Sequence, residues 1–285
     1  MALPAPSPLP ESDAVDTLQA WLRAHRRIFV LTGAGISTNS GIPDYRGPDG
    51  RWKRKAPITY QDFMRDPLMR ARYWARSFVG WPTVARATPN RGHAALVALE
   101  AQGRLATLVT QNVDGLHARA GHRAVIDLHG RIDAAVCVAC RMQVSRASVQ
   151  AQLAVEHPEW TAITAASAPD GDADLDDLDF SRFRPPPCPR CGGLLKPDVV
   201  FFGENIPRER VQSASDALQA ADALLVVGSS LMVYSGFRFA RTAREHGLPL
   251  AILTRGVTRA DDLATLTLDA DCEATLAGAV AAWQQ

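Results

Sequence analysis

Residues 30–46 read VLTGAGISTNSGIPDYR, an apolar segment that runs into a glycine-rich turn and then into polar and charged side chains. Glycine has no Cβ, so such a turn lets backbone amides approach a pyrophosphate where the next segment begins. Gly33, Gly35 and Gly41 are spaced as G-x-G-x5-G, which departs from the G-x-G-x-x-G dinucleotide fingerprint. The glycines alone are weak evidence, but the position directly after a buried strand predicts a dinucleotide-binding loop.

Composition and charge narrow the class of protein. The chain has 285 residues, with 31 basic and 30 acidic side chains. Because these charges nearly cancel, no global field attracts the protein to nucleic acid or to an anionic membrane, and we expect neither partner. No apolar run approaches the length of a bilayer span. Residues 1–10 are proline-rich and lack the features of a secretion signal, so we expect a disordered leader over residues 1–12 of a soluble, cytoplasmic protein.

Apolar strands alternate with helices along most of the chain. Val15, Leu18, Trp21 and Leu22 share one face of a predicted first helix. Later helices are predicted at residues 92–102 and 273–283. Strands are predicted at residues 28–32, 105–110, 125–128, 199–202, 224–227 and 250–254. The alternation predicts an α/β fold, in which helices cover a Rossmann-like parallel sheet and ligands bind at the carboxyl ends of the strands.

Two stretches, residues 50–88 and 131–197, do not follow the alternation. We expect them to form a smaller inserted domain, with a helical part and a zinc-ribbon part. The Rossmann-like domain would then comprise residues 13–49, 89–130 and 198–285. The second stretch has an acidic segment whose tip we expect to be mobile. Its aspartates are Asp170, Asp172, Asp174, Asp176, Asp177 and Asp179.

Four of the five cysteines form two pairs, Cys137 with Cys140 and Cys188 with Cys191, and two residues separate the members of each pair. Two such knuckles are typical of a tetrahedral thiolate zinc site. Disulfides or unpaired thiols are the alternative, but a two-residue gap suits a metal better than a local disulfide, and an intracellular chain keeps its thiols reduced. Four thiolates leave no open coordination position, so this zinc would be structural.

Polar side chains follow two of the predicted strands. Gln111, Asn112 and Asp114 come after residues 105–110 and offer amide and carboxylate groups to a ribose and a carboxamide, although a simple strand-end turn is the alternative. His129 follows the next strand. Imidazole titrates near neutrality and can act as a general base. Any one of the seven histidines is more often structural than catalytic, but a strand end beside the cysteine knuckles favours His129.

Several motifs, in this order, resemble the sirtuin family of NAD-dependent protein deacylases. They are the glycine loop at residues 30–46, TQNVDGLH at 110–117, HG at 129–130, the four cysteines, KPDVVFFGE at 196–204 and GSSLMV at 228–233. Together they cover most of the chain. The glycine loop, RYWAR at residues 72–76 and the long segment between the knuckles are most similar to the class II sirtuins, whose mitochondrial members include lipoamidase activity.

The resemblance implies that the substrates are acylated-lysine proteins and NAD. In sirtuins the acyl oxygen attacks C1′ of the nicotinamide ribose, nicotinamide leaves and an alkylimidate forms. Because an amide oxygen is a poor nucleophile, catalysis depends on orientation and on stabilising an oxocarbenium-like centre. His129 would then act as base on a ribose hydroxyl that attacks the imidate carbon. Free lysine, nicotinamide and O-acyl-ADP-ribose are the products, and Zn²⁺ has a structural role.

The resemblance also implies contacts, residue by residue. At the NAD phosphates it places Gly33, Ala34 and Gly35, with Ser37 in the same loop, and a second loop that folds over the nucleotide contains Asp44, Tyr45 and Arg46. At the ribose it places Gln111 and Asn112, and at the nicotinamide carboxamide Asp114. Phosphate and ribose would also be contacted by Gly228, Ser229 and Ser230, and the adenosine would lie beside Thr254, Arg255, Gly256 and Cys272. For Cys272, a small buried hydrophobic side chain is an equal alternative. The substrate backbone would be held as an added strand by Val200, Phe201, Gly203, Glu204 and Val233.

Tyr73 and Arg76 bear on the acyl chain, because helical spacing places them on one face. In sirtuins that remove succinyl or glutaryl groups, a tyrosine and an arginine at similar spacing bind the acyl carboxylate. We therefore hypothesise an acidic or branched acyl chain, with lipoyl and acetyl as the other candidates. A solvated arginine beside a packed Tyr73–Trp74 pair is the alternative.

Two other functions fit part of the pattern. A mono-ADP-ribosyltransferase would let a protein nucleophile or water capture the same ribosyl cation. A non-enzymatic NAD sensor with a zinc ribbon would control a partner and would not need His129. The aspartates between the knuckles argue against nucleic-acid binding by the ribbon.

Overall fold

A parallel sheet and a small antiparallel sheet form the centre of the molecule. The computed structural model describes residues 10–53, 57–164, 173, 175 and 178–281. The strands in chain order are β1 (Ile28–Thr32), β2 (Leu105–Thr110), β3 (Val125–Asp127), β4 (Gly130–Cys137), β5 (Gln143–Ser145), β6 (Leu195–Val199), β7 (Ala223–Val227), β8 (Leu250–Leu253) and β9 (Leu266–Leu268). The larger sheet has six parallel strands in the order β3-β2-β1-β7-β8-β9, and the smaller has the order β5-β4-β6.

Helices cover the parallel sheet, so the predicted α/β class is confirmed. They are α1 (Glu11–Ala24), α2 (Tyr60–Arg65), α3 (Pro67–Arg86), α4 (Arg91–Ala101), α5 (Leu116–Ala120), α6 (Arg146–Glu156), α7 (Arg208–Gln219), α8 (Tyr234–Glu245) and α9 (Cys272–Ala281). Every residue of β1, β7 and β8 is buried, as expected of parallel strands that are covered on both faces. None of the described helices has the length and apolar composition needed to cross a bilayer.

Local signals explain where the helices begin. The side chain of Asp66 accepts hydrogen bonds from the amides of Leu68 and Met69, and Pro67 occupies the first position of α3. At α4, Asn90 and His93 form a reciprocal capping box. These caps satisfy amides that would otherwise lack partners at the helix N-termini.

The strand order reverses between β1 and β7. β1 pairs with β2 on one side and with β7 on the other, in parallel registers. In open α/β sheets, the crevice outside the carboxyl ends of the strands at such a reversal is the usual ligand site. The two segments that leave these strands here, at Gly33 and Gly228, are both glycine turns.

The two stretches that interrupt the alternation pack together. A single cluster of buried apolar side chains contains Phe63 of α2, Trp74 of α3, Leu153 of α6 and Leu195 of β6. This shared core supports our expectation of a smaller inserted domain. The boundaries that divide the chain into two domains stay a prediction.

The strand predicted at residues 199–202 is wrong. β6 ends at Val199 and pairs antiparallel with β4, where Leu195 lies opposite Cys137. The cysteine knuckles lie next to this pairing, at the end of β4 and just before β6. Residues 200–202 leave the ladder: the amide of Val200 donates to the carbonyl of His129 (2.8 Å), and Phe202 forms an isolated bridge.

The remaining differences lie at the ends of elements. α1 begins at Glu11, so residues 11–12 are helical and do not belong to the predicted leader; the carbonyl of Pro10 accepts the amides of Asp13 and Ala14 and starts the first turn. Residues 1–9 lie outside the described residues. The same holds for residues 282–283 of the last predicted helix and for five aspartates of the acidic segment: Asp170, Asp172, Asp174, Asp176 and Asp177.

Candidate functional site

Two glycine turns interlock where the strand order reverses. The amide of Gly33 donates to the carbonyl of Val227 (2.9 Å), and that of Gly35 donates to the carbonyl of Gly228 (2.8 Å). A Cβ at Gly33 would lie 2.7 Å from the Cβ of Ser229, and one at Gly35 would lie 2.8 Å from the Cα of Gly228. Side chains are therefore excluded at these positions, which leaves backbone facing a cleft.

The cleft beside these turns has a volume of about 290 Å³. That size falls at the lower end of small-molecule sites. Most of the predicted NAD and substrate residues line it: Gly33, Ala34, Gly35, Asp44, Tyr45, Arg46, Tyr73, Gln111, Asn112, His129, Val200, Phe201, Gly203, Glu204, Gly228, Ser229, Ser230, Val233, Thr254 and Arg255. The predicted residues outside the lining are Ser37, Arg76, Asp114, Gly256, Cys272 and the four paired cysteines.

The loop after Asp44 is held over one side of the cleft by aromatic contacts. The guanidinium of Arg46 lies 4.1 Å from the ring centroid of Trp52, and the ring of Tyr45 meets Trp52 edge-on at 5.9 Å. The carbonyl of Pro48 also accepts the amide of Val257 (2.9 Å). The loop is thus attached to the segment that follows β8. Trp52 lines the cleft and is absent from the predicted site.

His129 lies in the same cleft with both ring nitrogens paired. Nδ1 is 2.9 Å from the carbonyl oxygen of Gln111, and Nε2 is 2.9 Å from Oγ of Ser235. Burial lowers the pKa of His129, and the charges of Arg210 and Arg238 lower it further, while the hydrogen bond to Gln111 acts in the opposite direction. His129 is therefore a neutral imidazole at neutral pH, which is the protonation state of a general base.

Gln111 and Ser229 connect the ends of β2 and β7. Nε2 of Gln111 donates to Oγ of Ser229 (2.7 Å), and the amide of Leu231 donates to the same hydroxyl (3.2 Å). Leu231 has φ of 55°, in the left-handed region that side chains rarely adopt. The hydroxyl of Ser229 thus stabilises a tight turn between the GSS segment and α8.

Ser37, Asn112 and Asp114 form a buried polar network. Ser37 donates to Oδ2 of Asp114 (2.8 Å) and accepts from Nδ2 of Asn112 (3.1 Å), while Oδ1 of Asp114 accepts the amide of Leu116 (2.8 Å). Burial raises the pKa of Asp114, and these hydrogen bonds oppose the rise. Of the three side chains, only Asn112 lines the cleft. The predicted NAD contacts of Ser37 and Asp114 stay predictions.

Gly256 and Cys272 lie outside the lining for different reasons. A Cβ at Gly256 would lie 2.2 Å from the carbonyl oxygen of Pro48, so this glycine lets the loop after Asp44 approach. Cys272 belongs to the core cluster around β1, its thiol donates to the carbonyl of Leu253 (3.5 Å), and burial raises its pKa to about 12. These surroundings suit a small buried side chain, and the adenosine contact stays a prediction.

The segment after β6 is fixed by an ion pair between buried Lys196 and partly exposed Glu204. Nζ of Lys196 lies 3.0 Å from Oε2 of Glu204, and the same carboxylate accepts the amide of Phe201 (2.9 Å). Burial lowers the pKa of Lys196, and Glu204 opposes that change. Residues 200–204 are thereby held beside the cleft and not in the small sheet.

Tyr73 lines the cleft, whereas Arg76 does not. Both lie on α3, as the predicted helical spacing requires. The ring of Tyr73 packs against Phe63 and Phe201, with ring centroids 5.4 and 5.1 Å apart. The predicted pairing of Tyr73 with Arg76 around an acyl carboxylate stays a prediction.

The four paired cysteines converge at one point. Their sulfurs all lie within 4.8 Å of one another, with 3.6 Å between Cys137 and Cys191 and 3.7 Å between Cys140 and Cys188. Zn–S bonds of about 2.3 Å in a tetrahedron require sulfur–sulfur edges of about 3.8 Å. The donor set and spacing therefore fit Zn²⁺. None of the four lines the cleft, which fits a structural role.

Sequence reasoning missed several residues of the cleft. Ser235, Trp52 and Ile206 are among them. Ser235 is the second residue of α8 and follows the GSS turn by a few positions, so its placement close to a strand end was the available signal. No sequence pattern indicated that Trp52 belongs to the site, because Trp52 reaches the cleft by packing on Arg46.

Comparisons of sequence relate the chain to known proteins. A family model described as the Sir2 family matches residues 33–235. A protein from Xanthomonas axonopodis pv. citri named NAD-dependent protein deacetylase is 59% identical over 261 residues, which cover 92% of this chain and 89% of that protein. The mitochondrial NAD-dependent protein lipoamidase sirtuin-4 of Bos taurus is 48% identical over 270 residues, which cover 94% and 86%.

Comparison of the fold with solved structures agrees with the sequence comparisons. A solved structure of a Sir2 mutant with a deacetylated p53 peptide and 3′-O-acetyl ADP-ribose matches with a TM-score of 0.76 and 31% identity, over 94% of this chain and 98% of that one. Sequence identity, matched length and fold together establish the family. The chain belongs to the Sir2 family of NAD-dependent protein deacylases.

Proposed function

We propose that this protein removes acyl groups from lysine side chains of other proteins, uses NAD as co-substrate, and releases nicotinamide and O-acyl-ADP-ribose. One observation carries the proposal: the neutral, partly buried His129 shares a cleft with the interlocked glycine turns at Gly33 and Gly228. A general base and a surface suited to phosphates therefore lie in the same site.

We propose that the glycine turns and their neighbours bind the co-substrate. Backbone amides at Ala34 and Ser229 would face the phosphates, because those of Gly33 and Gly35 already donate to Val227 and Gly228 and no Cβ at the glycines covers the turn. Gln111 and Asn112 would contact the ribose, and Arg46 with Tyr45 would cover the nucleotide from the loop. When bound, NAD supplies a ribose carbon that exchanges nicotinamide for the acyl oxygen.

His129 would accept a proton from a ribose hydroxyl at Nε2. Nδ1 is committed to the carbonyl of Gln111, so Nε2 is the nitrogen that can act as base. The positive charges of Arg210 and Arg238 favour the neutral ring. A proton gained during the reaction is therefore readily given up again, which returns the base to its starting state.

The acylated lysine would enter between residues 200–204 and Val233. Both line the cleft, and the ion pair of Lys196 with Glu204 holds the first segment away from the small sheet. Backbone groups of these segments that are not used in the hydrogen bonds described above would pair with an extended peptide, which gives affinity with little dependence on side-chain sequence.

For the acyl chain, the lining favours an apolar group such as lipoyl, beside acetyl. Ile58, Tyr73, Val199 and Phe201 contribute to the lining. The acidic carboxylate of Glu204 is already paired with Lys196. The carboxylate of an acidic acyl chain needs a cation, and the hypothesis assigns this role to Arg76.

The test is to incubate the purified protein with NAD and acetyl, lipoyl, glutaryl, hydroxymethylglutaryl and long-chain acyl-lysine peptides, and to identify the products by mass spectrometry. O-acyl-ADP-ribose from the wild type and none from His129→Tyr would support the deacylase. The preferred peptide identifies the acyl chain. ADP-ribosylated protein without that product would favour the transferase, and bound NAD without turnover would favour the sensor.

A further inference from the structure

The hydrogen bonds of His129 fix which nitrogen carries its proton. Nδ1 lies 2.9 Å from the carbonyl oxygen of Gln111. A carbonyl oxygen only accepts, so Nδ1 must be the protonated nitrogen, and a neutral imidazole then has its lone pair on Nε2. Oγ of Ser235 lies 2.9 Å from Nε2. The hydroxyl of Ser235 therefore donates a hydrogen bond to the basic nitrogen of His129.

The surroundings hold Ser235 in that position. It is the second residue of α8 and is 9% exposed. A Cβ on the next residue, Gly236, would lie 2.4 Å from Oε1 of Gln111, so the start of α8 packs directly against this side chain. Gln111 in turn donates to Ser229, before the same helix. One end of α8 thus contacts both His129 and the residue that fixes its tautomer.

We propose that Ser235 is a positioning residue for the base: its hydroxyl holds Nε2 of His129 unprotonated and oriented until a substrate hydroxyl replaces it. Ser235 and His129 both line the cleft, so rotation of one small side chain is enough for the exchange. The ribose O–H bond then breaks, an N–H bond forms at Nε2, and the oxygen keeps the electron pair for its attack. The exchange of Ser235 for a ribose hydroxyl rests on the proposed deacylase function. The hydrogen bond from Ser235 to His129 in the protein without substrates, called the resting hydrogen bond below, does not depend on that function.

The resting hydrogen bond is measured by NMR on protein with ¹⁵N-labelled histidine above pH 7.5. The resonances of His129 are assigned by their loss in His129→Gln. In the wild type we expect a protonated Nδ1 and an unprotonated Nε2 shifted upfield by an accepted hydrogen bond. In Ser235→Ala, Nε2 should move to the position of an unbonded nitrogen, while Nδ1 stays protonated because Gln111 is unchanged.

The catalytic consequence is measured as the single-turnover rate of O-acyl-ADP-ribose formation. Without the hydroxyl that orients the ring, a smaller fraction of His129 presents Nε2 to the substrate, and we expect a rate about threefold to tenfold lower in Ser235→Ala, with the Kd for NAD unchanged. Ser235→Thr keeps the hydroxyl and should recover most of the rate. Ser215→Ala is the matched control, because that hydroxyl donates only to the carbonyl of Val211 in its own helix, α7.

Either readout can overturn the proposal. An Nε2 resonance in the wild type at the unbonded position, or a proton on Nε2 in place of Nδ1, removes its structural basis even if Ser235→Ala does not fold. A normal rate in Ser235→Ala removes the positioning role. If the wild type forms no O-acyl-ADP-ribose, the deacylase function fails, and the NMR result still decides whether Ser235 donates to His129.

Discussion

A Cβ at Gly228 would lie 2.4 Å from the backbone nitrogen of Ile36, in the turn that follows the first strand. Gly228 also has φ of 64°, a left-handed conformation that other residues adopt only at a cost. The turns at the ends of β1 and β7 are therefore matched at backbone level, and neither can gain a side chain without displacing the other.

Gly228→Ala should consequently destabilise the protein by roughly 3 kcal/mol and weaken NAD binding at least tenfold, on the order of what backbone strain plus a buried clash costs. Gly247→Ala is the matched control, because Gly247 has φ of 70° but nothing within 4 Å of its Cβ position. Urea unfolding and calorimetric titration with NAD measure the two effects. Equal losses in both variants would show that the contact with Ile36 is unimportant.

The acid side of the pH–rate profile should reflect His129. The reaction needs the neutral ring, so the rate falls as the pH drops through the pKa of His129, which burial and two arginines lower below 6.5. Arg238→Met removes one of these charges and should move the acid limb to higher pH. Arg244→Met, in the exposed last turn of α8, is the control and should leave the limb in place. If the acid limb of the pH–rate profile does not shift in Arg238→Met, the charge of Arg238 does not lower the pKa of His129.

A cluster of three buried histidines should make stability depend on pH. The ring of His117 lies 4.8 Å from that of His93 and 5.4 Å from that of His122. Burial, and then the proximity of His122, lowers the pKa of His93 from its usual 6.5 to about 4. A group with a depressed folded pKa binds protons more readily when unfolded, so its contribution is full above pH 6.5 and is lost as the pH falls towards 4.

His93→Gln tests this dependence, since glutamine can keep the capping box with Asn90. Between pH 7 and pH 4, the wild type should lose about 3 kcal/mol more of its unfolding free energy than the variant does. Urea titrations at several pH values give the comparison. Parallel stability curves for the two proteins would mean that His93 is not buried in its neutral form.

Zinc analysis tests the cysteine cluster. We expect one zinc per chain in the purified protein, and a chelator that removes it should lower the melting temperature, because β4 and β6 pair at Cys137 and Leu195 beside the cluster. Cys188→Ser should reduce the zinc content. Cys272→Ala is the control and should keep the metal, since its thiol bonds to Leu253 in the other core. A wild type without stoichiometric zinc would refute the site.

The acyl-carboxylate hypothesis predicts that Arg76→Met lowers turnover of glutaryl and hydroxymethylglutaryl peptides at least about tenfold and spares acetyl and lipoyl peptides, because a buried carboxylate loses its cation. Arg86→Met, exposed near the end of the same helix, is the control. Peptide turnover is followed by mass spectrometry. Unchanged turnover of the acidic peptides in Arg76→Met would make the hypothesis wrong.

Local chemistry made much of this protein predictable. The segment Ile28–Thr32 is buried throughout. A parallel strand that is covered on both faces consists of a continuous apolar run, and such a run can be recognised in the sequence. The glycine turn after it and the paired cysteines are defined by spacing along the chain. The family resemblance rests on these same short segments and is confirmed.

Features that depend on distant segments were less predictable. Residues 199–202 have the composition of a strand, but Leu195–Val199 pairs with β4 beside the cysteine knuckles, and the following residues lie beside the cleft. Arg76 shares a helix with Tyr73, yet only Tyr73 reaches the cleft. Helical spacing determines which residues share a face, and the packing of the helix decides what that face meets.

The sequence by itself determined the α/β class, the glycine turns, the cysteine set and the histidine at a strand end, because each depends on residue types at short, fixed spacings. Only the tertiary structure decided that Ser235 meets Nε2 of His129, 106 positions away in the chain. It also decided which nitrogen of that ring is basic. Hydrogen bonds between distant segments form where backbone packing places them, and no local pattern encodes that geometry.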